Sequence, residues 1–447
     1  MERYSEYKDS GVKWIGEIPS HWEVEPFGRH FSFRKGLPIT KANLIDSGEA
    51  VISYGQIHAK ENLGTTMSES LVRYVSRDYL KSHPQCLLTK DDFVFADTSE
   101  DIGGSGNFVY NDFPANIFAG YHTIVAKQSG LYNPRYYAYL FKSECWRNHI
   151  RSLVNGVKVY SIGRKQLKSN FLLFPSYKEQ DAIVRYLDAA TSKIDKAIAM
   201  QQKMIDLLNE RKQIIIQNAV TKGLDENVEM KDSGVEWIGM IPKHWEIKRL
   251  KYVMHSYGRI GFRGYGTDDI VDEGQGAITL SPSNIQDSSM DYSKKTFLSW
   301  KKYYESPEIM IKNGDVLMVK TGSSYGKCAV VKDLPMESTI NPQLVVFKEH
   351  KEFSEFLAYS FQTTFAKCFI NTSVIGGTIP TISQEKINNY IFPFPSKSEQ
   401  QAIVAYLDKE MQRFDSAITN CQRQIALLQE RKQIIINEVV TGKVKVS

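Results

Sequence analysis

The segment TGSSYGKC, which begins at Thr321, is the part of the sequence most similar to a nucleotide-binding motif. A phosphate-binding loop needs four residues between its two glycines and a hydroxyl side chain after the lysine to hold magnesium. Here only three residues separate Gly322 from Gly326, and Cys328 follows the lysine. The segment therefore predicts no nucleotide-binding site.

Two further motifs resemble catalytic elements without meeting their requirements. NPRY from Asn133 is similar to the Asn-Pro-Pro-Tyr element of adenine methyltransferases, but Arg135 interrupts it. Glu349 and Lys351 have the Glu-x-Lys spacing of metal-dependent nucleases, yet they lie in KEHKEFSE, a charged run typical of a solvated turn. Nine histidines without ligand spacing and five scattered cysteines indicate no metal centre. We expect a chain without catalysis and without a cofactor of its own.

Two equivalent turns carry the best candidates for reading DNA bases. SYGQI from Ser53 and SPSNI from Ser281 follow predicted strands and place Gln56 opposite Asn284. Glutamine and asparagine both form bidentate pairs with adenine in the major groove. The same residue types are also common in ordinary turns, so a purely structural role stays open for both.

Basic residues extend this set, although a net charge of +5 does not identify a nucleic-acid binder. Two groups of basic residues lie at the start of two long divergent segments, in stretches without acidic residues. A third group lies within NGVKVYSIGRKQLKSN. Phosphate contacts are plausible for all three groups. The predicted DNA-binding side chains are Arg29, Arg34, Lys35, Lys41, Gln56, Lys158, Arg164, Lys165, Arg259, Arg263, Asn284 and Lys327.

These candidates belong to a duplicated chain. KDSGVKWIGEIPSHWEV from Lys8 and KDSGVEWIGMIPKHWEI from Lys231 are identical at 13 of 17 positions, and FPSYKEQDAIVRYLD from Phe174 matches FPSKSEQQAIVAYLD from Phe394. Between these near-constant segments lies a divergent stretch of about 150 residues in each copy. The order is therefore constant leading segment, variable domain and constant helix, twice.

Each constant helix has a recognisable start and an apolar stripe that requires a packing partner. Ser176 and Ser396 precede a glutamate by three residues, which is the capping-box arrangement. Apolar residues then recur in steps of four and three, from Leu187 to Ile215 and again from Leu407 to Ile435. We expect two long antiparallel helices that form an intramolecular coiled coil and hold the variable domains at a fixed spacing.

The variable segments contain short β-rich runs, such as AVISY from Ala50, between Gly, Asn, Asp and Ser turns. The predicted fold class is α+β, with two mixed α/β domains, the two helices and pseudo-two-fold symmetry. The expected regions are 1–175 (first domain with its leading segment), 176–222 (central helix), 223–395 (second domain with its leading segment) and 396–447 (distal helix and tail). No apolar run is long enough to span a membrane, which predicts a cytoplasmic protein.

The leading segments GEIPSHWEV at Gly16 and GMIPKHWEI at Gly239, together with the two FPS helices, resemble the conserved regions of type I restriction specificity subunits over essentially the whole chain. The resemblance implies two target recognition domains that read an asymmetric bipartite DNA target, with a spacer set by the helices. It implies as partners double-stranded DNA, two methyltransferase (modification) subunits and two restriction motor-nuclease subunits. Those subunits would hold S-adenosylmethionine, ATP and magnesium, and the assembly would methylate adenine and cleave DNA.

Two other functions stay open at this point. A stand-alone enzyme that cuts or modifies DNA would need a site around Asp92, Asp97 and Glu349. A scaffold whose coiled coil joins two protein-binding domains would explain the helices but not the basic segments.

Overall fold

The computed structural model describes residues 2–113, 116–156, 158–286, 288–348, 352–375 and 379–446, without the side chain of Phe262. The contacts divide it into unit 1, residues 1–201 with 423–447, and unit 2, residues 202–422. Each unit contains one variable domain and a part of both long helices. This division differs from the four consecutive regions expected from the sequence, because each long helix contributes side chains to the cores of both units.

The first domain and its leading segment contain short strands and helices. The strands are β1 (Tyr7–Asp9), β2 (Glu17–Pro19), β3 (Glu23–Pro26), β4 (Phe31–Lys35), β5 (Glu49–Ile52), β6 (Arg73–Val75), β7 (Leu87–Leu88), β8 (Phe93–Ala96), β9 (Thr98–Ser99), β10 (Phe108–Tyr110), β11 (Ile117–Ala119), β12 (Thr123–Gln128), β13 (Tyr160–Ser161) and β14 (Phe171–Phe174). The helices are α1 (Phe27–His30), α2 (Tyr54–Ile57), α3 (Tyr79–Ser82), α4 (Pro134–Lys142), α5 (Glu144–Leu153), α6 (Arg164–Ser169) and the long α7 (Tyr177–Lys222).

The second copy follows the same plan. Its strands are β15 (Met230–Asp232), β16 (Met240–Pro242), β17 (Glu246–Arg249), β18 (His255–Gly258), β19 (Ile270–Val271), β20 (Gly276–Leu280), β21 (Ile285–Gln286), β22 (Ser289–Met290), β23 (Phe297–Ser299), β24 (Val316–Val319), β25 (Cys328–Val330), β26 (Ser338–Ile340), β27 (Leu344–Lys348), β28 (Val374–Ile375), β29 (Thr381–Ile382) and β30 (Ile391–Phe394). Its helices are α8 (Trp300–Tyr304), α9 (Ser354–Phe361), α10 (Thr364–Ser373), α11 (Gln384–Asn388) and the long α12 (Lys397–Val440).

Two four-stranded sheets form the centre of each domain. In the first domain their strand orders are β10-β8-β12-β4 and β6-β5-β11-β7, and in the second they are β25-β24-β27-β18 and β19-β23-β20-β26. One parallel pair occurs at the equivalent place in both copies, β5 with β11 and β20 with β26. The register also agrees, since Ile124 pairs with Lys35 and Val345 pairs with Gly258. The duplicated sequence therefore folds into a duplicated domain.

The long helices begin where the capping boxes predict. The Ser176 Oγ accepts from the Glu179 backbone N–H at 3.4 Å, and the Glu179 carboxylate accepts from the Ser176 N–H at 3.3 Å. Ser396 and Glu399 make the same two bonds in the second copy. Each box satisfies backbone N–H groups that have no partner within a helix.

The predicted heptad seams are buried at positions such as Leu187 and Leu407 and partly exposed at others, such as Leu208 and Leu428. In unit 1, Leu187 and Ile194 of α7 belong to one apolar cluster with Ile435 of α12, and Lys432 bonds Asp195 at 2.7 Å. In unit 2 the equivalent pair, Lys212 and Asp415, lies at 2.6 Å. Among the residues described, no helix is long and apolar enough to cross a membrane.

Candidate nucleic-acid interface

Four loop segments of the first domain meet at one edge of its sheets. We call these segments, residues 53–58, 97–107, 120–123 and 158–163, the first loop cluster. Backbone bonds hold them together. The Tyr54 N–H donates to the Tyr121 carbonyl at 3.2 Å, and the Asp97 N–H donates to the His122 carbonyl at 3.1 Å. The Ile162 N–H in turn donates to the Asp97 carbonyl at 2.9 Å. The loops thus form one connected surface.

Polar and aromatic side chains occupy the first loop cluster. The Tyr54 hydroxyl donates to Glu100 at 2.8 Å, and this bond raises the pKa of Tyr54. The rings of His58 and His122 lie 5.3 and 6.0 Å from that of Tyr54. His122 Nδ1 lies 3.2 Å from a carboxylate oxygen of Asp97. Such a surface presents donors, acceptors and ring faces together, which are the groups that read base edges in a groove.

Gln56 lies in this cluster, but half of its amide is already used. Its Oε1 accepts from the Ser53 backbone N–H at 3.1 Å and caps α2. A bidentate pair with adenine needs both the oxygen and the nitrogen of the amide. Reading adenine through Gln56 would therefore require the cap to open.

The structure corrects the expectation for Asn284. Its side chain is buried, with 2% of the residue exposed. The Oδ1 accepts from Ser281 at 2.9 Å, and the Nδ2 donates to the carbonyls of Asp291 and Lys294 at 2.9 and 2.8 Å. With both ends of the amide bonded inside the domain, Asn284 stabilises a turn and has no donor or acceptor left for a base.

Arg259 is a second correction. Its guanidinium donates to the Ile340 carbonyl at 3.1 Å and to Thr339 Oγ1 at 3.0 Å, and it stacks over Tyr265. The residue is 5% exposed, so it is part of the domain interior and cannot reach a phosphate. Arg263 is partly exposed and forms an ion pair with Glu308 at 3.3 Å.

The basic residues of the first domain are more accessible. Arg164, Lys165 and Lys168 are exposed on α6, which packs against α1 and β4, and they line an open cleft of about 560 Å³ with Gly28. Lys158 is exposed just before β13. Lys158 thus belongs to the first loop cluster, whereas the α6 side chains follow it in sequence and line a cleft beside Phe31 and Ser129.

The remaining basic candidates of the first copy lie around β4. Lys35 and Lys41 are exposed, and Lys35 lies one residue before Gly36, whose N–H donates to the Thr123 carbonyl of the first loop cluster. Arg34 reaches the Gln85 carbonyl at 3.4 Å. Arg29 forms an ion pair with Glu25 at 3.1 Å.

The second domain builds the same edge from different side chains, and we call residues 281–284, 320–327, 341–343 and 379–384 the second loop cluster. The Lys320 N–H donates to the Gln343 carbonyl and the Ile382 N–H donates to the Lys320 carbonyl, both at 2.8 Å. These bonds are the counterparts of those that Asp97 makes in the first copy. Lys327 is exposed within this cluster.

The catalytic candidates that the structure describes either have structural roles or lack the required geometry. TGSSYGKC leads into strand β25 and not into a helix, so it lacks the helix N-terminus that binds phosphate in a nucleotide loop. Asn133 caps α4 by accepting from the Arg135 N–H at 3.1 Å. Asp92 is buried and accepts from Thr89, while burial raises its pKa. Glu349 and Lys351 lie outside the described residues, within which no group of metal-ligating side chains occurs.

Sequence reasoning missed most of the polar side chains that the loop clusters bring together. Tyr54, Glu100, His122, Lys320 and Gln343 were not among its candidates. A signal was available, because Asp97 and Lys320 directly follow buried apolar strands in the aligned segments DDFVFADT and GDVLMVKT. Side chains at strand ends are common positions for binding residues.

Two equivalent domains, each with a polar loop surface at one edge of its sheets, define a duplicated two-domain protein. A family model described as the type I restriction modification DNA specificity domain matches residues 19–204 and 269–429. The chain belongs to this family. The prediction of the family from the repeated motifs is therefore confirmed.

Individual relatives agree with this assignment. The chain is 21% identical to the type I restriction enzyme MjaVIII specificity subunit of Methanocaldococcus jannaschii, over 98% of this chain and 97% of that one. It is 24% identical to the putative MjaX specificity subunit of the same organism, over 98% of each. A chain from a solved structure of a type I R-M system matches with a TM-score of 0.68 at 15% identity, covering 96% of this chain and 99% of that one. The last similarity confirms the predicted two-domain α+β fold.

Proposed function

We propose that this chain is the specificity subunit of a type I restriction-modification complex and reads an asymmetric bipartite DNA target, one half-site per domain. The observation that carries the proposal is the pair of loop clusters. Both contain the same two backbone bonds, made by Asp97 in one and by Lys320 in the other, with different side chains attached. Identical surfaces would read identical half-sites, so unequal surfaces indicate unequal half-sites.

Phosphate contacts would come from the exposed basic residues near the first loop cluster. In this proposal Arg164, Lys165, Lys158, Lys35 and Lys41 position the first domain on the duplex. Further phosphate contacts would come from a second group, Arg29, Arg34, Arg263 and Lys327. The three arginines of this group would first have to exchange an internal partner for a phosphate. Arg259 and Asn284 are left out, because their polar groups are satisfied inside the second domain.

Partner docking is supported by an apolar pair that is exposed on both long helices. Leu207 and Ile214 of α7 are 49% and 48% exposed, and Leu427 and Ile434 of α12 are 54% and 48% exposed. They lie in LLNERKQIII and LLQERKQIII, which differ at one position although the domains have diverged. Exposed apolar side chains at i and i+7 suit a partner helix. We propose that each pair binds one modification subunit, and that two restriction subunits join this assembly in the cytoplasm.

Methylation mapping tests the recognition role. The chain and a modification subunit of the family would be produced in cells without adenine methylation, and methylated adenines would be mapped across the genome. A split, asymmetric motif that depends on this chain is the expected result. An unchanged methylation pattern despite a purified complex would favour the scaffold function, and turnover by the chain alone would favour an enzyme.

Docking is tested separately by two matched variants. Leu207→Ser should remove one modification subunit from the complex, Leu427→Ser the other, and the double variant both. Molar mass measured by light scattering after size exclusion distinguishes these outcomes. Two subunits bound to the double variant would contradict the docking proposal and leave DNA recognition untouched.

The spacer is expected to follow from the long helices. Deleting the seven residues from Asn209 to Ile215 should alter the spacer and preserve both half-sites. Because the deletion also removes Ile214 of one docking pair, the spacer is read from the sequences of duplexes selected by binding as well as from the methylation map. A change in the half-site sequences themselves would refute this role.

A further inference from the structure

Asp97 and Lys320 occupy the same place in the two domains. Each residue directly follows a central strand, β8 or β24, that is buried along its whole length. Each donates its backbone N–H to the residue just before the neighbouring strand, His122 or Gln343, and accepts from an isoleucine, Ile162 or Ile382. The aligned segments place them in register as well. One copy therefore carries a carboxylate where the other carries an ammonium.

The two side chains differ in what they leave available. Asp97 uses one oxygen, Oδ1, which accepts from the Thr98 hydroxyl at 2.8 Å and lies 3.2 Å from His122. Within the described residues its second oxygen has no hydrogen-bond partner, and about a third of the side chain is exposed, at 30%. Asp97 thus presents a fixed acceptor from the centre of the first loop cluster.

Lys320 presents donors from the corresponding point of the second loop cluster. Its ammonium has no hydrogen-bond or ion-pair partner in the part of the chain that the structure describes, although burial lowers its pKa. Gly258 lies beside it, since a Cβ at that glycine would be 3.1 Å from Nζ. A partly buried charge without a partner costs stability, so this lysine is suited to an acceptor that arrives with a ligand.

The opposite charges of Asp97 and Lys320 indicate which part of DNA this position faces. A phosphate contact suits lysine, but it would repel a carboxylate at the same place. Base edges suit both, because cytosine N4 donates to carboxylates and guanine O6 and N7 accept from lysine. Resting on the proposed function, we infer that Asp97 and Lys320 are equivalent base-reading residues: Asp97 reads a cytosine in the first half-site and Lys320 a guanine in the second.

Competition binding by the purified methyltransferase complex tests this inference. The duplexes carry the mapped target with each base pair of both half-sites replaced in turn. The wild-type complex should prefer the G·C pair at one position of each half-site by roughly 5- to 150-fold, the range for a specific base contact. Lys320→Gln should bring that preference close to parity at one position of the second half-site only. Asp97→Asn should reduce the cytosine preference at one position of the first half-site only.

Lys327→Gln is the matched control, because it removes the same charge from an exposed residue of the same loop cluster. It should weaken binding to all duplexes about equally and make the salt dependence shallower. If Lys320→Gln behaves in this way, Lys320 contacts a phosphate and the inference is wrong. Relaxed preference in the other half-site, or an affected position without a G·C pair, would also overturn it.

Two further results keep the outcome interpretable. Lys320→Gln removes an unpartnered charge, so the Tm of the free chain should not fall. Lys320→Arg retains charge and donors, so it should retain the guanine preference; loss of that preference with an unchanged Tm would count against the inference. If the wild-type complex shows no preference for any base pair, the proposed recognition function fails instead.

Discussion

Replacing Lys142 should stabilise unit 1 strongly at neutral pH. Lys142 is the last residue of α4 and lines a cleft with Arg135 and Lys432, and the described residues include no hydrogen-bond partner for its ammonium. Burial, together with repulsion from Arg147 and Lys432, lowers the pKa of Lys142 from 10.5 to about 8. At about 1.4 kcal/mol for each pKa unit, holding this proton in the folded state costs about 3 kcal/mol.

The variant Lys142→Met retains most of the apolar stem and removes the charge. We expect a gain of about 2–3 kcal/mol in the free energy of unfolding at pH 7. The folded pKa lies below the unfolded one, so the cost is complete below about pH 8 and disappears as the pH rises towards 10.5. The advantage of the variant should therefore fall by roughly half between pH 7 and about pH 9.5.

Urea unfolding of both proteins at the two pH values, followed by circular dichroism, measures this difference. Lys168→Met, at an exposed lysine of α6, is the control and should show no such dependence on pH. An advantage of Lys142→Met that stays constant from pH 7 to 9.5 would refute the reasoning.

Three further outcomes follow from the fold. Gly442→Ala should lower the Tm more than Gly223→Ala, because both glycines have a positive φ but only a Cβ at Gly442 would clash, at 2.5 Å from Pro19; equal losses in thermal unfolding would contradict this. Ser176→Ala should cost about 1 kcal/mol in urea unfolding, since the Glu179 N–H loses its acceptor; no change would show that the box is dispensable. Replacing the three basic residues of α6 by glutamine should make the slope of log affinity against log salt shallower by about 2–3, in a salt titration of DNA binding. An unchanged slope would remove α6 from the interface.

The duplicated sequence predicted the long helices closely. Ser176 and Ser396 marked their starts within one residue, because a capping box acts through bonds between residues three apart. Heptad spacing identified the buried faces for the same reason, since a helix converts short sequence separations into one stripe. Helix starts and buried helix faces depend on such local interactions, so they can be predicted without knowledge of the rest of the chain.

The candidate site was predictable only in part. Exposed lysines and arginines such as Lys158 and Arg164 were found by composition, but the same criterion selected Arg259, which is buried against Thr339 and Ile340. Asn284 was chosen for its amide, and the fold uses that amide to close a turn. Residue type states which hydrogen bonds a side chain can make, and it does not state whether the domain has already made them.

The sequence by itself determined the repeat, the helices, the family and the unequal character of the two domains. Only the tertiary structure brought residues 53–58, 97–107, 120–123 and 158–163 to one edge, through backbone bonds between segments far apart in the chain. It also showed that Asp97 and Lys320 make equivalent backbone bonds. Such long-range contacts depend on how the strands pair and how the sheets pack as a whole. They cannot be predicted from the residues adjacent to each position in the sequence.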